Sequence, residues 1–268
     1  MEVKQKINMV GGGFQHTTCS SANSEPKLIE WVRGDNSASI SIHIDHAIFN
    51  IPTDKNKKNY AWLAEAKSIN LGLYESCKTS VQYLEDNFEY IFTHDKSLLE
   101  LSSKFRLTIC SARPWVTEFG VYPKNKLVSM IASSKVMCEE HKYRQELIKK
   151  FNKKLDHFGR GYNPINKKED GLKDYCFSLA IENGVYSNMF TEKITDCFAT
   201  GTIPVYWGNP NIGEFFNEDG IIKLDNNFKI EDLSFDLYHS KIKVVKENYE
   251  KVLTLPVAED YIYENFIK

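Results

Sequence analysis

The chain of 268 residues has no run of 18 apolar residues, so no segment would cross a bilayer as a helix. Its opening, MEVKQKINMVGGGF, lacks the apolar centre of a secretory leader. The six cysteines (Cys19, Cys77, Cys110, Cys138, Cys176, Cys197) form no CxxC and no Cys/His zinc spacing. Several lie in apolar runs and read as reduced core thiols of an intracellular protein. Net charge is scarce too: 34 Lys and Arg face 36 Asp and Glu, for −2 overall. That balance gives no general pull toward nucleic acid or an anionic membrane. The lysine-rich segments 54–58 and 149–154 lack interleaved aromatics and read as solvated faces. No loop carries a DxD-type acidic pair of the kind that would hold a metal; the adjacent acids Glu169-Asp170 and Glu218-Asp219 read as solvated surface. Internal repeats and low-complexity tracts are absent.

A hydrophobic content of 42% is enough for one large domain or two of moderate size. Strand and helix signals alternate along the chain, an α/β pattern. Residues 6–10 are a strand running into Gly11-Gly12-Gly13, which is not GxGxxG and carries little signal for a dinucleotide. Residues 39–45 alternate polar and apolar, which predicts a half-exposed strand ending in Asp45-His46. A polar loop over 52–59 precedes the apolar piece AWLAEA at 61–66. Helices are expected over 71–84 and 96–105, and strands over 90–93 and 107–110. The second half opens with a strand at 126–133. An amphipathic helix follows at 140–155, with Tyr143, Leu147 and Phe151 on one face, then a Gly-rich turn at 158–162 and a polar loop at 163–173. A strand is expected at 221–224, and helices over 233–253 and 258–268.

The most informative stretch is 175–208, YCFSLAIENGVYSNMFTEKITDCFATGTIPVYWG. Residues 176–181 form an apolar run, as expected of a strand buried on both faces. Residues 182–189 are a polar loop. Thr191 is a good helix N-cap with Glu192 in the first turn. Ile194, Cys197 and Phe198 fall at helical spacing, Gly201 stops the helix, and 202–207 is a second apolar strand. A βαβ unit of this size favours a parallel sheet. Asn183, Glu192 and Lys193 then gather where the first strand ends and the helix begins, the usual place for a ligand in an open α/β sheet. Free N–H groups there suit a phosphate, Lys193 adds a full charge, and Glu192 can accept hydrogen bonds from sugar hydroxyls.

The segment IENGVYSNMFTEKITDCFATGTIPVYWGNPNIGEFF resembles the donor-binding signature of the family 10 glycosyltransferases, the α-1,3/4-fucosyltransferases. Their pattern runs F-E-N, a variable loop, Tyr-x-T-E-K, a helix, then x-P-V/I-x-W/Y-G and an Asn- or Ser-Pro. SSKVMCEEHKYRQELIKKF resembles the family's preceding stretch, with Arg144 in the place of its phosphate-binding Arg. The resemblance covers 92–216, fading toward the N-terminus. It implies a GT-B fold: two Rossmann-like α/β domains facing a cleft, here 1–124 on the acceptor side and 125–255 on the donor side, with 256–268 as a helix crossing back to the first. It implies transfer of a sugar from a nucleotide-sugar donor, GDP-fucose first, to a glycan hydroxyl, with inversion and without an essential metal or other cofactor. Animal members carry a membrane anchor and stem that this sequence does not show, which points to a bacterial or viral source and to work in the cytoplasm.

Transfer of this kind has two needs: stabilisation of the leaving diphosphate and a base for the acceptor hydroxyl. The resemblance assigns Arg144 and Lys193 to the diphosphate and places Asn183 and Glu192 near the donor's sugar and ribose. The Tyr expected two residues before Thr191 is Met189, and Tyr186 is the loop residue able to replace it. That departure leaves a UDP-sugar such as UDP-xylose open as donor. Tyr162, beside the Gly-rich turn, is the candidate to stack on the nucleotide base; Trp115 and Trp207 are aromatic alternatives, with Trp207 read as core. For the base, Glu65 in its apolar context and Asp45 are the candidates, with His46 or His94 behind them; burial of Glu65 would raise its pKa toward a useful value. A binding protein without turnover is the rival from another class.

Overall fold

The computed structural model describes residues 3–14, 17–34, 37–50, 56–109 and 112–268. They divide into two compact units, 1–111 with 187–189 and 256–268, and 112–186 with 190–255.

The first unit begins with β1 (Gln5–Val10), β2 (Ile29–Val32), β3 (Ile40–Ile44) and β4 (Lys58–Trp62). It continues through α1 (Leu71–Thr79), α2 (Val81–Asn87), β5 (Ile91–Thr93), α3 (Lys96–Leu99) and β6 (Phe105–Leu107). The strands form one parallel sheet in the order β2-β1-β3-β4-β5-β6. One face packs Ile7, Met9, Ile42, Trp62 and Phe92, and a second cluster gathers Ile48, Ala61, Leu63, Tyr74, Cys77 and Ile91.

Several expectations are corrected here. β3 is buried along its whole length rather than half exposed. A central parallel strand is covered on both faces, and its polar residues are satisfied internally: His43 Nδ1 lies 3.0 Å from the Ala47 carbonyl oxygen. The helix expected over 71–84 is two, broken at Ser80, whose φ of −119° is not helical. The helix expected over 96–105 stops at Leu99, because Phe105 is drawn into the sheet as the first residue of β6. β4 starts at Lys58, inside the stretch read as a polar loop; residues 52–55 of that loop, and Cys110 of the strand expected over 107–110, lie outside the described residues. β2 was not anticipated: IEWV is too short to show a period.

The second unit holds β7 (Lys126–Ile131), α4 (Glu139–Lys150), β8 (Asp156–Phe158), β9 (Tyr175–Ile181), α5 (Glu192–Ala199), β10 (Ile203–Trp207) and β11 (Ile222–Lys223). α6 (Phe235–Ser240) and α7 (Ile242–Leu253) follow, where one helix was expected; Lys241 separates them at φ −102°, ψ 6°. The sheet is parallel in the order β11-β10-β9-β7-β8. β9 and α5 form as the sequence pattern requires. All seven residues of β9 are buried. The Thr191 hydroxyl accepts the Lys193 N–H, and Gly201 ends the helix at φ +64°. A Cβ at Gly201 would sit 2.8 Å from the Val121 Cα, so only glycine fits. Glu169 is a further correction. It is buried, in a short 3-10 turn over Lys168–Gly171, and accepts hydrogen bonds from the Thr117 N–H, the Thr117 hydroxyl and the Glu118 N–H.

The last helix, α8 (Ala258–Ile262), runs into a single wide turn at Tyr263–Ile267. It belongs to the first unit, where Ala258, Ile262 and Ile267 join the core beside Trp62 and Phe92. Its two acids fasten the 17–28 loop: Glu259 accepts from the Ser20 N–H at 2.7 Å and the Trp31 indole at 3.2 Å, and Asp260 from the Lys27 and Leu28 N–H groups.

Among the described residues no helix is long and apolar enough to cross a membrane. Cys19, Cys77, Cys176 and Cys197 are buried free thiols, and Cys138 is a half-buried one.

Candidate donor and base sites

The donor-side residues meet beyond the C-terminal end of β9. Glu182, the first residue past the strand, is fully buried. It accepts hydrogen bonds from the Thr191 N–H at 2.9 Å and the Thr191 hydroxyl at 2.7 Å, and so draws the start of α5 against the end of β9. The Lys193 ammonium lies 2.8 Å from the Thr191 hydroxyl and 3.5 Å from both Glu182 and Glu192. Sequence reasoning picked out Asn183 and passed over Glu182; its signal was the acid directly before that Asn, at the end of an apolar strand.

Asn183 takes its partners from α4. Arg144 donates through its guanidinium to the Asn183 side-chain oxygen and through Nε to the Ile181 carbonyl at 3.1 Å. This places Arg144 at the strand end. His141, one turn earlier, lies with Nε2 3.2 Å from the same Asn183 oxygen. The Met137 N–H donates to His141 Nδ1 at 3.0 Å, so the imidazole must be protonated on Nε2 and donate to Asn183. Burial, then the Arg144 charge, pushes the His141 pKa down, which suits that neutral form. His141 gave no sequence signal beyond its helical spacing from Arg144. Arg144 is itself partly desolvated, with Glu182 and Glu192 as compensating charges.

Glu192 is buried beside two lysines, Lys193 at 3.5 Å and Lys168 at 3.4 Å. Burial alone would raise its pKa; Lys193 and Lys168 overcome this and draw it down to about 2. Tyr186 lies half-buried with its ring over Gly184, where a Cβ would overlap the ring. Tyr162 is 39% exposed, its ring 4.1 Å from His157 and its hydroxyl bonded to Gln145 of α4. Beside it, Gly159 at φ +132° brings its backbone against the Ala132 carbonyl, where no side chain could follow. Trp207, read as core, is half-buried against Tyr143.

The base candidates meet at the C-terminal ends of β3, β4 and β5, which parallel pairing sets side by side. Asp45 leaves β3 at φ +50° and accepts the Ala64 N–H at 3.0 Å and the Glu65 N–H at 3.2 Å. Burial, reinforced by the Glu65 charge and opposed by those two bonds, raises its pKa to about 6. The Glu65 side chain is exposed, which corrects the expectation of a buried carboxyl: the chain turns outward past Leu63, and the desolvation falls on Asp45. Neither Lys67 nor Arg33 is taken up by Glu65. Lys67 pairs with Asp95 at 2.8 Å, and Arg33 donates to the Gly11 and Gly13 carbonyls. The Tyr74 hydroxyl donates to the Glu65 carbonyl at 2.7 Å and lies 3.5 Å from His94 Nδ1. Burial pushes the His94 pKa down to about 4, which makes it a neutral support; His46 is exposed. Among the described residues, no three His, Cys, Asp or Glu side chains are grouped to hold a metal ion.

Residues 121–253 match the model of the glycosyltransferase family 10 (fucosyltransferase) C-terminal region. Over that region, just under half of the chain, the protein is family 10 fucosyltransferase-like. It is 35% identical over 109 residues to an α-(1,3)-fucosyltransferase of Helicobacter pylori, and 40% identical over 73 residues to a putative fucosyltransferase-like protein of Arabidopsis thaliana. These matches cover 39% and 26% of this chain, and 22% and 14% of those proteins. In fold, the chain is similar over 94% of its length to a crystal structure of an α1,3-fucosyltransferase (TM-score 0.54, 16% identity, 81% of that chain). A second similar structure is an α1,3-fucosyltransferase with GDP-fucose (TM-score 0.51, 16% identity, 94% of this chain and 82% of that one). The fold, two parallel-sheet α/β domains, is GT-B.

Proposed function

We propose that the protein transfers a fucosyl residue from GDP-fucose to a glycan hydroxyl, inverting the anomeric centre in one displacement and needing no metal ion. The observation that carries this reading is the convergence of Arg144, Asn183, Glu192 and Lys193 on the end of β9 and the start of α5. The GDP-fucose bound by a protein of the same fold supports the choice of donor. In this mechanism Arg144, Lys193 and the first N–H groups of α5 receive the charge that develops on the leaving diphosphate. Glu192 accepts hydrogen bonds from donor hydroxyls, and Tyr186 and Tyr162 serve as flanking aromatics. Glu65, exposed and held by its own N–H and C=O, takes the acceptor proton. Asp45 holds the Glu65 loop.

Met189 keeps a second donor in view. It stands where the family pattern has Tyr, and it is buried. A UDP-sugar such as UDP-xylose is the alternative. The test is thermal unfolding with GDP, GDP-fucose, UDP and UDP-xylose, with Mn²⁺ or with EDTA, followed by a transfer assay on glycan acceptors. A ligand at a hundred times its Kd adds about 2.7 kcal/mol, or roughly 5–11 °C for a chain of this size. A response to guanine nucleotides, unchanged by EDTA, is expected. A response to uracil alone would move the donor to a UDP-sugar. Binding without transfer to any acceptor would make this a nucleotide-sugar-binding protein.

A further inference from the structure

Lys168 belongs to no part of the family signature and lies in what the sequence showed only as a polar loop. Its ammonium sits 2.7 Å from Asp196 Oδ2, 3.4 Å from Glu192 Oε1 and 4.8 Å from the centre of the Trp115 ring. Glu192 and Asp196 are four residues apart on α5, so both carboxylates share one face and repel each other. Asp196 is anchored: its other oxygen accepts the Trp115 N–H at 2.6 Å and the Val116 N–H at 3.0 Å. The turn that carries Lys168 is anchored to the same segment through Glu169, which binds Thr117 and Glu118. Lys168 thus stands in a frame fixed on two sides and reaches from it to Glu192. Lys193 also reaches Glu192, but it is shared with Glu182 and the Thr191 hydroxyl.

We propose that Lys168 is a positioning residue for the donor site, holding the Glu192 carboxylate oriented and ionised at the start of α5 through a Glu192–Lys168–Asp196 bridge. The proposal rests on the reading of α5 as the donor-binding helix. The charged groups around Glu192 are Lys193 and Asp196 on its own helix, Lys168 on the 3-10 turn, Glu182 beyond β9 and Arg144 on α4. Of the two cations bonded to Glu192, Lys168 is the one that also neutralises Asp196. Lys168→Met keeps the apolar stem beside Trp115 and removes the charge. Glu192 is then left with Lys193 alone beside a buried like charge, and takes up a proton at higher pH.

Two measurements test this. In the free protein, the ¹³C carboxyl signal of Glu192, assigned by its loss in Glu192→Gln, is followed from pH 4 to 8. It is expected to stay flat in the wild type and in Lys168→Arg. In Lys168→Met it is expected to titrate within that range, with a midpoint at least two pH units higher, a hundredfold gain in proton affinity. A flat signal in Lys168→Met overturns the proposal, even if the variant melts earlier. Calorimetry with GDP is the second: Lys168→Met should bind about tenfold more weakly at pH 6, with a pH dependence absent from the wild type and from Lys168→Arg. Equal GDP affinity in all three proteins overturns the positioning role. If the wild type binds neither GDP nor GDP-fucose, the donor reading fails, while the carboxyl titration still decides whether Lys168 governs Glu192. Should Lys168→Met not fold, Lys168→Gln, which keeps a hydrogen-bond donor without the charge, is put through the same titration.

Discussion

Glu192 in the second unit and Asp45 in the first are both desolvated carboxylates, and their neighbours send them in opposite directions. Glu192 has Lys193 and Lys168 beside it and is drawn down to about 2. Asp45 has two backbone N–H groups and the Glu65 carboxylate, with no lysine or arginine in an ion pair with it among the described residues, and is raised to about 6. The first arrangement fixes charge in place, as a site for a charged donor requires. The second leaves two acids close together, as a site that must accept a proton requires. Burial is common to the two; the placement of lysines separates them.

The comparison breaks first, and by the largest amount, at Glu65. Glu65→Ala is expected to lower kcat by about 10²- to 10⁴-fold, the range for losing a general base, while the KM for the donor stays within about twofold. Asp45→Asn keeps an oxygen to accept the Ala64 and Glu65 N–H groups and should lose far less. Steady-state kinetics on both variants decide the assignment. A greater loss in Asp45→Asn than in Glu65→Ala would exchange their roles and make Asp45 the base.

On the donor side the losses should fall on binding and turnover together. Lys193→Ala and Arg144→Ala each remove charge-assisted hydrogen bonds worth about 1.5–3 kcal/mol, so kcat/KM should drop roughly ten- to a hundredfold. GDP affinity measured by calorimetry should fall in step. An unchanged affinity with reduced kcat would place these cations on the acceptor instead. Glu182→Ala strips the Thr191 N–H and hydroxyl of their buried acceptor, at a cost of about 1–3 kcal/mol in stability. Denaturant unfolding should record that loss without any change in the slope of the transition.

The donor side was legible because its residues lie close together in sequence. Strand, loop, cap and helix fall within 175–199, and each follows a local rule: a continuous apolar run, a Thr cap, a helical period, a glycine stop. What escaped notice there comes from outside the run. Lys168 and Glu169 sit in a turn whose composition is that of any polar loop, and only the fold carries them to Asp196 and to the 115–118 segment. The first unit was less legible because its site is assembled from three strand ends far apart in sequence. Asp45, Glu65 and His94 were each visible as candidates. Their pairing, and the outward turn that exposes Glu65 while Asp45 is half-buried, depend on β3, β4 and β5 lying side by side. β3 misled for the same reason: Ser41 and His43 imitate a solvent face in a strand whose neighbours cover both sides.

The smallest expected effect is also the most direct test of the contrast between the two acids. The Asp45 carboxyl moves from an ordinary value of 3.8 to about 6 on folding. Between those values the folded protein binds the proton that the unfolded chain has released. Stability from this group therefore falls as pH rises from about 4 through 6 and is level above that. Asp45→Asn removes the titration and keeps the acceptor for the two N–H groups. The variant should match the wild type near pH 4 and exceed it by about 1–2 kcal/mol at pH 7.5, read from paired urea melts at each pH. The difference between the two proteins isolates this group from every other carboxyl in the chain. A variant that is less stable than the wild type at pH 7.5 would mean that the Asp45 charge is compensated in the folded state, and the contrast with Glu192 would be lost.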